Sequence, residues 1–246
     1  VDLSVSDTFD MVPINKTLTI FLTYHTPYET TITKSIDYIL MHTSEFMDIS
    51  IPIGDICFIF TDFNGEPLSG INISIRTYGY SYDAFLSNNT VILRGIPLGL
   101  YEIHIESNTS LGFIMRHFVA MEMYNSSVRK IPVPVRPLLI EVYDKDGKPI
   151  NGLLISIKTG KFVTEIVTDT NTFNFTKIAV ELYTISLYYR FDDCIYPLNY
   201  TNYPLDTSIT GPRVKLYAEF SKLTSKVVLN QTEVYKNTTV RAGVYV

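Results

Sequence analysis

The residues best placed for chemistry in this 246-residue chain are its asparagines. Nine of the fourteen stand in Asn-x-Ser/Thr triplets with no proline in the middle: Asn15, Asn72, Asn88, Asn108, Asn125, Asn174, Asn199, Asn230 and Asn237. Ser and Thr together make 45 residues, about 18%, so chance alone gives about two or three such triplets. The triplet is the acceptor for N-linked glycosylation, a bulky modification that only exposed surface can carry. The excess predicts an exported chain with covalent N-linked glycans and no other cofactor.

Other reactive residue types do not assemble into a site. His25, His42, His104 and His117 are scattered, and none has the HxH or HxxxH spacing of a metal pair. Gly79-Tyr-Ser81-Tyr-Asp83 has the start of a nucleophile elbow but neither its closing glycine nor its strand-to-helix setting. Asp144-Lys-Asp146-Gly147 opens like a calcium loop, yet the third acidic ligand and the terminal Glu are missing, and a hairpin turn explains it equally. Asp192-Asp193 is the one adjacent carboxylate pair, in a Tyr- and Pro-rich loop. The expectation is a non-enzyme with no catalytic and no metal residues. Cys57 and Cys194 either form one disulfide in an oxidising compartment or lie as separate thiols in two domains. Tyr78, Tyr80 and Tyr82, with Tyr188, Tyr189, Tyr196, Tyr200 and Tyr203, either offer stacking surface to sugars and subunits or fill half-buried strand positions.

The elements that must position these residues are strands. Eighteen Tyr, fourteen Phe and abundant Ile, Val and Thr favour β structure, and twelve Pro with twelve Gly punctuate it. A net charge of −5 without a basic run argues against nucleic acid as partner. No run approaches the roughly 18 apolar residues of a membrane-spanning helix, so no membrane insertion is expected. A start at Val1 is expected of a mature, exported product whose signal peptide has been removed.

Two segments repeat at an offset of 82. Thr61-Asp-Phe-Asn-Gly-Glu-Pro-Leu-Ser-Gly-Ile-Asn-Ile-Ser-Ile-Arg-Thr77 returns as Tyr143-Asp-Lys-Asp-Gly-Lys-Pro-Ile-Asn-Gly-Leu-Leu-Ile-Ser-Ile-Lys-Thr159, with eight of seventeen positions identical. Ile96, Leu100, Tyr101 and Ile103 align with Ile178, Leu182, Tyr183 and Ile185 without a gap. A period this long means duplicated β-sandwich domains rather than a solenoid. In each unit Asp caps a turn, Gly accepts positive φ, and a strand follows with Ile71, Ile73 and Ile75 inward and Asn72, Ser74 and Arg76 outward. The expected organisation is a terminal strand over residues 1–12, a first domain over 13–129 and a second over 130–246.

Both termini alternate. Val1, Leu3, Val5, Phe9 and Met11 form an apolar row, and Val234, Val240, Ala242, Val244 and Val246 form another. Such strands either pair within their own domain or complete a sheet of a neighbouring subunit. Residues 30–46 fit a short helix or a further pair of strands.

The recurring Asp-x-x-Gly-x-Pro-Leu/Ile-x-Gly turn followed by Leu-Tyr-x-Ile resembles the carboxypeptidase-regulatory-like and transthyretin-like sandwich families, and is similar to the B-type repeats of collagen adhesins. The resemblance spans residues 48–125 and 130–190 and implies spacer or stalk modules. The Lys–Asn isopeptide bond of the adhesin type is not implied, because Cys57 to Thr61 and Leu139 to Tyr143 contain no lysine. As a whole the chain resembles the thread-type surface filaments of thermoacidophilic archaea. That resemblance implies an extracellular, pilus-like homopolymer joined by donor-strand complementation, with Val1 to Met11 as the donated strand. The alternative is a monomeric adhesion module, or the ectodomain of a larger surface complex.

Overall fold

The computed structural model describes residues 15–27, 31–39, 41, 49, 51–77, 79–160, 162–191 and 194–219. Every regular element among them is a strand, and no helix there is long and apolar enough to cross a membrane. The chain is all-β, with two tandem sandwiches preceded by a two-stranded ribbon. The ribbon consists of β1 (Thr17–His25) and β2 (Thr31–Ile39), so the segment left open between helix and strand is a strand where it is described.

The first sandwich follows from the period-2 pattern of its residues. Its three-stranded sheet has the order β6 (Thr90–Pro97), β3 (Ile53–Thr61), β9 (Ser127–Pro132). Its four-stranded sheet has the order β5 (Tyr80–Leu86), β4 (Ile71–Thr77), β7 (Gly99–Asn108), β8 (Ile114–Met123). Ile56, Phe58 and Phe60 point inward from β3 and are buried completely, while Cys57 and Ile59 on its other face are half-buried. Ile71, Ile73 and Ile75 of β4 meet them from the opposing sheet. Closure comes from β9, which runs parallel to β3, with Ile56 beside Ser127 and Thr61 beside Pro132. The closing strand therefore continues past the division expected at 129/130.

The second sandwich repeats this plan. β10 (Val135–Asp144) is flanked by β13 (Thr172–Ala179) and, in parallel, by β17 (Arg213–Ala218). The other sheet holds β12 (Val163–Thr168), β11 (Leu153–Lys158) and β14 (Leu182–Phe191), with β15 (Cys194–Pro197) and β16 (Tyr203–Asp206) sharing the far side of β14. Buried positions recur at the 82-residue offset: Ile56 and Leu138, Phe60 and Val142, Ile73 and Ile155, Ile103 and Ile185. The buried hydroxyl of Tyr101 donates to the Pro97 carbonyl, and that of Tyr183 donates to the Ala179 carbonyl at 3.0 Å. Burial raises both phenols well above their ordinary value.

The turn in the motif also recurs atom for atom. Asp62 Oδ1 accepts from the amides of Asn64 (2.8 Å) and Glu66 (2.9 Å); Asp144 Oδ1 accepts from those of Asp146 (2.9 Å) and Lys148 (2.8 Å). Gly65 (φ 88°) and Gly147 (φ 79°) take the left-handed conformation that follows. In both copies an Asx-type turn uses the carboxylate oxygen that a calcium loop would direct at its ion.

Where the copies diverge, proline gives the reason. β8 is one unbroken strand along β7, but Pro197 and Pro204 cannot donate to a ladder, so the corresponding stretch splits into β15 and β16. Asn202, between them, adopts φ 54°.

The sandwiches interlock at their junction. The Val133 amide donates to the Thr61 carbonyl (2.8 Å) and the Phe63 amide to the Val135 carbonyl (2.8 Å), which carries the β3–β9 pairing into the start of β10. Val133, Val135 and Ala179 pack in the first core, and Leu111 packs in the second. Lys177 of β13 reaches back to the carbonyls of Ser69 (2.6 Å) and Gly70 (3.2 Å), and its backbone exchanges hydrogen bonds with Ser110. The Arg136 guanidinium lies 5.7 Å from the centroid of the Phe63 ring.

Candidate glycan-bearing and assembly surfaces

All seven described triplet asparagines are exposed: Asn15, Asn72, Asn88, Asn108, Asn125, Asn174 and Asn199. Two described asparagines outside the triplets, Asn89 and Asn171, are half-buried. Asn15 stands two residues before β1, Asn88 lies in the turn from β5 to β6, and Asn125 lies between β8 and β9. Asn72 of β4, Asn108 at the end of β7 and Asn174 of β13 stand on outward sheet faces, because the residues on either side of each in the chain are buried. Asn199 sits in the break between β15 and β16, where its Oδ1 accepts from the Glu219 amide (3.1 Å). Asn230 and Asn237 lie outside the described residues.

On the outward face of β5-β4-β7-β8, antiparallel register sets residues in rows. One row reads Asp83, Ser74, His104, Phe118; the next reads Phe85, Asn72, Glu106, Arg116. The first row brings together an Asp, a Ser and a His that are distant in sequence. The order is wrong for nucleophile activation, since the serine lies between the other two whereas a relay needs the base in the middle. Arg76 Nε donates to Ser74 Oγ (3.2 Å), and His104 packs against Phe118 at 4.9 Å between centroids. Arg116 Nε pairs with Glu106 Oε1 at 2.8 Å on the exposed surface. This face is a shallow, hydrogen-bonding surface with aromatic rings. No sequence motif marked it, because the rows exist only across strands.

The remaining candidates separate. Cys57 on β3 and Cys194 on β15 are free thiols on different sandwiches, and the structure does not bring them together into a disulfide. His25 Nδ1 lies 3.1 Å from Thr31 Oγ1 in the ribbon. His117 on β8 is held below the ordinary imidazole value by burial. Among the tyrosines, Tyr80 is buried, Tyr82, Tyr188, Tyr189 and Tyr200 are half-buried, and Tyr196 and Tyr203 are exposed. The Tyr200 ring meets Tyr203 edge-on at 5.2 Å, and its hydroxyl accepts from the Tyr217 amide at 3.0 Å. Most of the cluster thus fills half-buried positions. His42, Tyr78, Asp192, Asp193 and the whole row Val1, Leu3, Val5, Phe9 and Met11 lie outside the described residues.

The ribbon differs from both sandwiches. Leu18, Ile20, Leu22 and Tyr24 of β1 face the same side as Ile32, Ile36 and Tyr38 of β2, paired Ile20 to Ile36 and Tyr24 to Ile32. None of these side chains is fully buried, and Phe21 on the other side is 70% exposed. Among the described residues neither strand has a further partner. One end of the ribbon rests on β6, where a Cβ at Gly95 (φ 58°) would stand 2.5 Å from the Tyr24 hydroxyl. A two-stranded ribbon is marginal in water; a third strand or a packed face is needed for independent stability.

No family model matches the sequence, and no curated protein matches it. Among solved structures, the chain overlays the Bacillus anthracis TIE protein at 11% identity, covering 82% of this chain and 41% of that one, with a TM-score of 0.27. It thus spans less than half the length of that protein. It overlays a streptococcal ancillary pilin at 8% identity (80% and 74% covered, TM-score 0.26) and the shaft pilin SpaA of Lactobacillus rhamnosus GG at 8% (70% and 100%, TM-score 0.30).

Proposed function

We propose that this chain is a non-catalytic, N-glycosylated subunit of an extracellular surface filament, of the thread type its organisation resembles. Subunits are joined when residues 1–11 of one copy add a strand to the next. The observation that carries the reading is the β1–β2 ribbon, which among the described residues has only two strands, beside two sandwiches with buried cores. The inward rows of both sandwiches are buried, whereas among the described residues the ribbon pairs with no third strand and its apolar face is only half-buried. Addition of Val1, Leu3, Val5 and Phe9 there extends the face, while main-chain hydrogen bonds satisfy an edge. Each such side chain contributes about 1.5–3 kcal/mol when fully buried. Glycans on the exposed asparagines keep the remaining surface soluble and unavailable for lateral association.

The test is deletion of residues 1–11 from the full chain, followed by light scattering and negative-stain imaging of both proteins at high concentration. The full chain polymerises and the deleted chain stays monomeric if the reading holds. Polymers from the deleted chain rule out N-terminal donation. A full chain that remains monomeric removes the filament and leaves the monomeric surface-binding module.

A further inference from the structure

Three triplet asparagines lie within strands, and each faces a large apolar residue directly across the ladder. Asn72 pairs with Phe85, Asn108 with Ile114, and Asn174 with Leu139. Phe85 is 66% exposed and Ile114 is 52% exposed, on a face that mixes charged and hydroxyl side chains with the exposed Leu100 and Phe118. Cross-strand partners hold their Cβ atoms about 4.5–5.5 Å apart, so a group attached to the asparagine tip reaches over its neighbour.

The repeat supplies an internal comparison. At the offset of 82, Asn72 becomes Leu154 and Phe85 becomes Val167. The triplet and the exposed ring occur together in the first sandwich and are both gone from the second. Beside Asn72 lies a shallow depression of about 530 Å³, lined also by Ser74, Arg76, Asp83, His104 and Glu106. It has room for sugar rings and offers both donors and acceptors to their hydroxyls.

We propose that the first sugars of a glycan on Asn72 lie back on the sheet, with the apolar face of one ring against Phe85 and hydroxyls in this depression. This rests on the reading that Asn72 is glycosylated. Attachment joins Nδ2 to the anomeric carbon of an activated glycosyl phosphate donor; the phosphate leaves with its bonding electrons and Nδ2 loses one proton. The second Nδ2 hydrogen remains a donor. The glycan then acts as a packed part of the first sandwich and covers a ring that would otherwise meet water.

The experiment uses full-length protein made in a host that N-glycosylates, as wild type, Phe85→Ala, Asn72→Gln and the double variant. Glycopeptide mass spectrometry first reads occupancy at Asn72; an unmodified Asn72 overturns the glycosylation reading and this inference together. With sugar present, Phe85→Ala lowers Tm by about 2–4 °C, while in the Asn72→Gln background it changes Tm by less than about 1 °C. Proton NMR of the wild type shows ring protons of the first sugar shifted upfield by the Phe85 ring. Phe85→Leu, which keeps an apolar strand residue, abolishes that shift. Equal Tm losses in both backgrounds with no upfield shift overturn the stacking and leave glycosylation standing.

Discussion

The two sandwiches place an aromatic ring on opposite partners of one core pair, and that exchange supports a quantitative prediction. Phe58 faces Val91 across β3 and β6, and at the same place in the second sandwich Ile140 faces Phe173 across β10 and β13. All four side chains are buried. Phe58→Ile removes three side-chain carbons, a loss of about 2.4 kcal/mol at about 0.8 kcal/mol per buried carbon. The tilted contact with Tyr101, at 6.3 Å between centroids, adds about 0.5–1 kcal/mol, giving about 3 kcal/mol in all. Val91→Phe forces four carbons into filled space at a cost of about 1–3 kcal/mol. Made together, the changes conserve volume to within one carbon and copy a pairing that the second sandwich already uses, so the double variant should lose less than about 1.5 kcal/mol. The single costs sum to about 4–6 kcal/mol, which implies a coupling of about 3 kcal/mol between residues in contact. Urea unfolding followed by circular dichroism measures each value, and Tm follows at about 2–4 °C per kcal/mol. A double variant as unstable as the sum of the singles would refute the claim that both sandwiches share one core layout.

Two further outcomes follow from named contacts. Lys177→Met keeps the aliphatic stem but removes the ammonium from the Ser69 and Gly70 carbonyls; it should cost about 1 kcal/mol at this partly exposed site and speed amide exchange around Gly70, and unchanged exchange would show that the contact does not hold the junction. Burial holds His117 below its ordinary value, so the unfolded chain takes up its proton first on acidification. The stability this residue contributes is therefore complete above about pH 6.5 and is lost as pH falls through the lower folded value. His117→Asn should flatten the fall in urea midpoint between about pH 7 and pH 5, and an unaltered slope would place the effect elsewhere.

Much of this arrangement was legible in the residues. Ile71 to Arg76 alternate at period 2, and the structure buries the isoleucines and exposes Asn72 and Arg76 as that period requires. Asp62 and Asp144, each three residues before a glycine, announced the turns that their carboxylates then cap. The mixed signal of residues 30–46 was not resolvable by period, because Ile32 and Ile36 satisfy either spacing while Ile39 keeps only the helical one. Cross-strand pairing with β1 makes residues 31–39 a strand. The Asp83, Ser74 and His104 row was invisible, since three strands from separate stretches of chain must be in register before it exists.

The sequence by itself determined which residues of the repeat turn inward, where its turns fall, that the unit is duplicated, and that Asn72 stands on the outward face of its strand. These are consequences of side-chain period and backbone preference, which act over a few residues. Only the tertiary structure decided that β9 and β17 close their sheets in parallel, that Lys177 ties the second sandwich to the first, and that Asn72 faces Phe85. Those outcomes depend on register between segments tens of residues apart, and register is fixed by the combined packing of both sheets, which no local pattern contains.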